Sequence, residues 1–197
     1  MRPKQVSRIL KHMSKSHYLN NHCLIATHII AEDAFFARTV IYIKEHSSLG
    51  AVGFIVNRPL FNIDVKGALP NLLIPMGMSE EELILFAGGP NSLEQSTVIY
   101  SADTVEEKTT LSCSPLFSHS DQALFHFDLS THVFLIVAGY TLWKPGELEM
   151  ELQNNLWLTT PFSKEMVFAD SITSRRQHAL SSLGFDPRHL RTDQGHA

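Results

Sequence analysis

A chain of 197 residues with 44% hydrophobic and 18% charged content has the size of one domain with its own core, needing no disulfide or metal to hold it. Its net charge of −4 is unevenly placed: Arg2, Lys4, Arg8, Lys11 and Lys15 precede the first acidic residue, Glu32, leaving 11 basic against 20 acidic side chains, or −9, for the rest. That balance argues against direct nucleic-acid binding, which needs a positive face, and no run approaches the roughly 18 apolar residues of a membrane span.

Residues 1–20 read as a flexible basic arm and 21–197 as one domain. The arm lacks the apolar core of about 7–15 residues that a secretory signal carries, and Met13 stands as an alternative start. Cys23 and Cys113 are in no C-x-x-C pair or zinc-type spacing, so they read as two buried thiols in a reducing compartment. A cytoplasmic location follows.

In chain order, Cys23–Ile30 reads as a first strand and Phe35–Arg38 as a short helix or turn. Thr39–His46 and Ala51–Asn57 are rich in β-branched and aromatic residues. The four-residue link Ser47–Gly50 is too short for a crossover, which makes them an antiparallel hairpin with Gly50 free to take positive φ. Gly53 marks a bulge or a close backbone approach, and Pro59 ends the second strand. A broken helical piece follows around Gly67 and Pro70. Leu83–Gly89, Ser96–Ser101 and a weak segment near Leu111 read as strands, and Ser120 opens a helix. The continuous apolar run His132–Tyr140 fits a central strand buried on both faces.

Two helices close the chain. Pro145 fits a first helical position, Glu147 and Glu149 suit the positive end, and Leu148, Leu152 and Leu156 form one apolar stripe. The second begins near Asp170–Ser171, turns Ile172, Ala179, Leu180 and Leu183 inward, and stops at Gly184 with Phe185 folding back. Strands mixed irregularly with helices, without a βαβα rhythm, argue for an α+β fold.

Several short motifs recur in a fixed order: Leu24–Ala26, Phe36–Tyr42, Glu45–Gly53, Asn57-Arg58-Pro59, Gly88-Gly89-Pro90, Gly139–Trp143, Gly146–Leu152, Trp157-Leu158, Gly184–Pro187 and the terminal Gly195-His196-Ala197. In this order and spacing the chain from about Asn21 onward resembles the YqgE/AlgH family of bacterial proteins. The resemblance implies a single α+β domain on a bulged, curved, mostly antiparallel β-sheet flanked by helices, and the family's frequent label of transcriptional regulator. It implies no reaction. Thr27-His28 stands where relatives commonly place a residue and then proline. Lys44 stands where some relatives have cysteine, so a thiol mechanism is absent here.

The best-placed polar group is Glu45-His46 at one strand end with Arg58 at the end of the next. Converged, they could hold an anionic ligand or act as an acid/base pair. The plainer alternative is a Glu45–Arg58 ion pair with His46 as a turn cap, contributing at most ~1 kcal/mol. Gly88 and Gly89 could present amides to an anion but lack the lysine and Ser/Thr of a P-loop. With Asn57 these residues make the candidate ligand site: Glu45, His46, Asn57, Arg58, Gly88 and Gly89. Glu147 and Glu151 share a helix face, yet no accompanying motif makes them metal ligands. Trp143 and Trp157 read as core or rim anchors, and the eleven histidines show no ligand spacing.

The expectation is a non-enzymatic module for an unknown protein or small-molecule partner, with no cofactor or metal, no membrane, and any effect on gene expression indirect. The competing reading is a small-molecule hydrolase or transferase using Glu45, His46 and Arg58. A closed pocket with a His and a carboxylate within about 3 Å favours the enzyme; a shallow, apolar-rimmed surface favours the binding module.

Overall fold

A computed structural model describes residues 18–60, 84–101, 111–115, 133–169 and 171–184. The helical pieces expected around Gly67 and from Ser120, most of the basic arm, and Phe185 lie outside the described residues. The elements are β1 (His22–Ala26), a 3-10 turn (His28–Ile30), β2 (Val40–Ser47), β3 (Gly50–Ile55), β4 (Leu85–Ala87), β5 (Asn91–Ser101), β6 (Leu111–Pro115), β7 (Phe134–Trp143), α1 (Glu147–Gln153), β8 (Trp157–Pro161), α2 (Lys164–Phe168) and α3 (Ile172–Ser182). They form one sheet in the order β6-β5-β7-β3-β2-β1-β8, with β4 beside β7. Only the β4–β7 pairing among the described strands is parallel. The fold is α+β, as the element pattern indicates.

Strict alternation along the strands builds two cores. Cys23, Ile25, Val40, Tyr42, Phe54 and Val56 face one side, where Met166 and Val167 of α2 and Ala179 of α3 cover them. Leu24, Ala26, Ile41, Ile43 and Ile55 face the other, under Leu148 of α1 and the rings of Trp143 and Trp157. Central β7 is buried through Leu135–Ala138, so it reads as a continuous apolar run.

Several boundaries differ from the sequence reading. The first strand stops at Ala26 because the Thr27 hydroxyl accepts the Ile29 amide proton and starts a 3-10 turn. α1 begins at Glu147 after a left-handed Gly146, which leaves Pro145 outside the helix and Leu156 beyond its end. α2 and β8, both five residues long, were not expected. Leu19, within the expected arm, is buried in the α1-side core. α3 does end at a left-handed Gly184, whose amide donates to the Ser181 carbonyl at 2.9 Å.

Two irregularities position everything that follows. The first is a bulge in β2. Ile43 pairs with Gly53 but Glu45 pairs with Val52, so Lys44 is the extra residue. The bulge lies opposite Gly53, where a Cβ would come within 2.8 Å of the Ile41 Cγ2. One inserted residue reverses the alternation. His46 therefore joins Ala51 on the α1 face, and Glu45 turns to the other.

The second is a fork. β3 and β7 pair directly only over Ala51–Gly53 and Thr141–Trp143. Beyond that, β4 inserts between them. It runs parallel to Ile136–Ala138 on one side. On the other, the Ala87 amide donates to the Arg58 carbonyl, the Leu60 amide to the Leu85 carbonyl and the Ile55 amide to the Gly88 carbonyl, each at 2.8 Å. Gly88 and Gly89 lie where the strands part: a Cβ on Gly89 would fall on the backbone of Tyr140.

Candidate functional site

The six candidate residues divide between two ends of the sheet. In an antiparallel hairpin the end of one strand meets the start of the next, so Glu45 and His46 face Val52 and Ala51. Arg58 lies past the far end of β3, near the start of β2. From His46 back to Val40 is about 20 Å at ~3.3 Å per residue. The expected convergence of Glu45 and His46 with Arg58, and the alternative Glu45–Arg58 ion pair, are both corrected by this register. The structure does bring Asn57, Arg58, Gly88 and Gly89 together at the fork.

At the hairpin end His46 is only 4% exposed. Its Nδ1 accepts the Leu19 amide proton at 3.0 Å, so the ring proton belongs on Nε2, 3.0 Å from Glu149 Oε1. Asn20 clasps the His46 backbone twice: its Oδ1 accepts from the His46 amide and its Nδ2 donates to the carbonyl. Tyr18 packs edge-on against the ring at 5.3 Å. His46 therefore anchors the segment entering β1. It does not cap its own turn, where the Ser47 hydroxyl accepts from the Leu49 amide.

The bulge aims His46 at α1, and α1 supplies the acids. Glu149 is half-exposed beside His46. Glu151, half a turn on, accepts the indole protons of Trp143 at 2.8 Å and Trp157 at 2.6 Å on one oxygen, Oε2. The two indole rings stand edge to face at 6.5 Å. Glu147 points elsewhere, accepting from the Lys144 amide at 2.7 Å. The Glu147/Glu151 pair is thus divided between a cap and an indole clamp. Among the described residues no three His, Cys, Asp or Glu side chains are placed to share a metal ion.

At the fork end Asn57 is a backbone clamp: Oδ1 accepts from the Val40 amide at 2.8 Å and Nδ2 donates to the Arg38 carbonyl at 3.0 Å. Arg58 grips the preceding turn, donating to the carbonyls of Phe35 and Ala34 and lying 4.9 Å over the Phe35 ring. Asp33 holds the same turn from the other side through the Phe35 and Phe36 amides. The Gly88 amide is taken by the Ala138 carbonyl at 2.7 Å. Cys23 is buried and unbridged, and burial pushes its thiol up to about 12.

The sequence of Gly146–Leu152 shows helix-start charge and a Glu147/Glu151 pair, but not that Glu149 meets His46 or that Glu151 receives two indole protons, since those partners come from distant strands.

Comparison with known proteins places the whole arrangement. A family model described as AlgH-like matches residues 23–188. A UPF0301 protein of Shewanella sp. (strain ANA-3) is 35% identical over 186 residues, covering 91% of this chain and 98% of that protein. One from Erwinia tasmaniensis is 33% identical over 91% of this chain and 99% of its own length. The solution structure of AlgH from Pseudomonas aeruginosa superposes with a TM-score of 0.68 at 28% identity, over 94% of this chain and 99% of that one. A crystal structure from Corynebacterium diphtheriae, at 23% identity and TM-score 0.60, shares the fold. With the family model spanning most of the chain and relatives above 30% identity along nearly their full length, this chain belongs to the YqgE/AlgH family.

Proposed function

We propose that the protein is a cytoplasmic, non-enzymatic binding module that engages another protein at the β2–β3 hairpin end, and that any influence on gene expression passes through that partner. The observation that carries this reading is Leu49, 84% exposed at the hairpin tip. Behind it a cross-strand row, Glu45–Val52–Leu142, occupies the face that α2 and α3 leave open at this end. Leu142 is 52% exposed. An apolar tip and row edged by a carboxylate is a shallow surface suited to a protein partner. The buried thiol of Cys23 fits a reducing compartment.

The polar groups beneath that surface are committed to the fold. A general base needs a free nitrogen within reach of a substrate proton. His46 has both nitrogens occupied, one by Leu19 and one by Glu149. The second reading, a hydrolase or transferase, draws on the 3.0 Å His46–Glu149 contact, and it requires Leu19 to leave Nδ1 first.

Leu49→Asp tests the first reading. Proteins recovered with the tagged wild type are expected to be lost with this variant, retained with Ile29→Asp at another exposed site, and accompanied by an unchanged melting curve in both. Equal recovery by all three removes the hairpin surface. Duplex DNA is expected not to bind the chain lacking its first 15 residues at near-physiological salt. Micromolar, salt-sensitive binding overturns the indirect role.

A further inference from the structure

The segment entering β1 is held differently on the two sides of Asn21. From Asn21 onward the main chain joins the sheet: the Asn21 amide donates to the Ile43 carbonyl and its carbonyl accepts from the Phe162 amide, both at 3.0 Å. Before Asn21, Leu19 and Asn20 bond to His46. Asn20 is exposed, so its two bonds to the His46 backbone can be exchanged for bonds to water. Leu19 cannot make that exchange. Its side chain is 8% exposed within the α1-side core, and its buried amide has the His46 Nδ1 lone pair as acceptor at 3.0 Å.

That acceptor exists only on the neutral ring. A neutral imidazole has one donor and one acceptor nitrogen, and the cation has two donors. A proton on Nδ1 points at the Leu19 N–H, leaves a buried amide without a partner and sets two donors face to face. The other groups around the ring do not offset this. Glu149 of α1 accepts from Nε2 at 3.0 Å and attracts the cation, but it stays beside His46 whether or not Leu19 is in place. Tyr18 lies edge-on at 5.3 Å and belongs to the segment itself. β3 sets Ala51 opposite His46, and Glu45 turns to the other face of the sheet. Glu147 and Glu151 are engaged by the Lys144 amide and the two indoles, and Lys44 and Lys144 are exposed. The Leu19 contact is therefore what sets the docked segment against a protonated ring.

We propose that His46 is a proton-operated latch: neutral, it holds Tyr18–Asn20 on the sheet, and protonated, it releases them. The released form binds a proton that the docked form excludes, so a fall in pH shifts the population toward release. Histidine is the side chain suited to this, because its charge changes within the range a cell can reach. Release stops at Asn21, whose main-chain bonds and 2.7 Å contact with the Tyr42 hydroxyl involve no group that titrates there. It withdraws Leu19 from the core it shares with Ala51, Trp143 and Leu148, and so opens the α1 side of the sheet at the hairpin end. The latch needs no partner protein, so it stands or falls independently of the surface around Leu49.

The test is amide hydrogen exchange on the full chain at pH ~7.5 and pH ~5, read by NMR as protection factors so that the intrinsic pH dependence of exchange is removed. Protection of the Leu19 amide is expected to fall at least about tenfold at the lower pH, while the amides of Ile25 in β1 and Tyr42 in β2 change less than about twofold. His46→Asn sets an amide oxygen where Nδ1 stands and does not titrate, so Leu19 is expected to stay equally protected at both pH values. Glu149→Gln removes the carboxylate on Nε2 and is expected to move release to lower pH without abolishing it. If His46→Asn fails to fold, the ring nitrogen shifts of the parent decide: protonation of His46 and loss of Leu19 protection are expected to share one midpoint. The proposal is overturned by Leu19 protection that does not change in the parent, that falls together with Ile25 and Tyr42, that falls equally in His46→Asn, or whose midpoint departs from that of the His46 ring.

Discussion

At the hairpin end of the sheet, charge is matched to the chain itself: His46 lies between Leu19 and Glu149, and Glu151 between two indoles. At the fork end Arg58 and Arg175 are turned onto backbone carbonyls and lie over the rings of Phe35 and Phe86, and β4 is held between its neighbours by main-chain bonds. The difference teaches two ways of fixing the end of a sheet. At the hairpin buried polar groups satisfy one another, so a single substitution leaves a partner unmet, while at the fork arginines close on backbone carbonyls and tight main-chain packing sets the limit. Proximity of a histidine to a carboxylate is here a structural contact and not by itself a functional signal.

The largest expected effect tests whether the fork is close-packed. Alanine at Gly89 drives its Cβ into the Tyr140 and Thr141 backbone, which cannot yield as a side-chain end can. A loss above ~3 kcal/mol, or failure to fold, is expected in urea titration. Gly146→Ala is the control: it also has positive φ but meets nothing within 4 Å, so only backbone strain of ~1 kcal/mol applies. Equal midpoints for the two variants rule out a close-packed fork.

Next in size is the indole clamp of the hairpin end. Glu151→Ala leaves the indole protons of Trp143 and Trp157, both nearly fully buried, without their acceptor. The expected cost is ~2–4 kcal/mol, with Glu151→Gln losing about half as much because one carbonyl oxygen remains. Near-ultraviolet circular dichroism should change with it, since the ring geometry depends on the shared oxygen. A cost below ~0.5 kcal/mol shows that the clamp is not structural.

Legibility in the sequence followed the range of the interactions. The β2–β3 hairpin was readable because turn length, Gly50 and β-branched runs are local, and β7 because burial on both faces leaves an unbroken apolar run. β8 and α2 were not: five residues of Trp-Leu-Thr-Thr-Pro or Lys-Glu-Met-Val-Phe are too few to show a period, and β8 gains its pairing from β1, more than a hundred residues earlier. β4 is legible as a strand in the apolar run Leu83–Gly89, but its place is not, since it is set by distant partners on both sides, β7 and the Arg58–Leu60 segment. In the candidate site the bulge at Lys44 decided which face received His46. Its signal, Gly53, was on the partner strand. The partner Glu149 lies 103 residues away, and the Glu45–Arg58 expectation failed because a hairpin sets the end of one strand beside the start of the next.

His46→Ala comes third. A turn cap implies at most ~1 kcal/mol, but the buried Leu19 amide loses its acceptor and Glu149 its partner, so ~1–2 kcal/mol is expected. Hydrogen exchange distinguishes the two roles. Faster exchange at the Leu19 amide is expected if His46 anchors the entering segment, and unchanged protection there returns His46 to a local role.

Arg58→Lys carries the smallest expected effect and tests how far the fork end depends on guanidinium geometry and not on charge alone. Arg58 bridges the adjacent carbonyls of Ala34 and Phe35 with two nitrogens and stacks its plane on the Phe35 ring. Lysine keeps the charge and can reach one carbonyl, but it has neither the fork nor the plane. The site is half-buried, so water can satisfy the carbonyl left over, and the loss should be only ~0.5–1 kcal/mol. Urea titration reads the outcome: a lysine variant as stable as the parent shows that the guanidinium fork and the ring stacking add nothing, and a loss above ~2 kcal/mol shows that water does not reach the carbonyl left over.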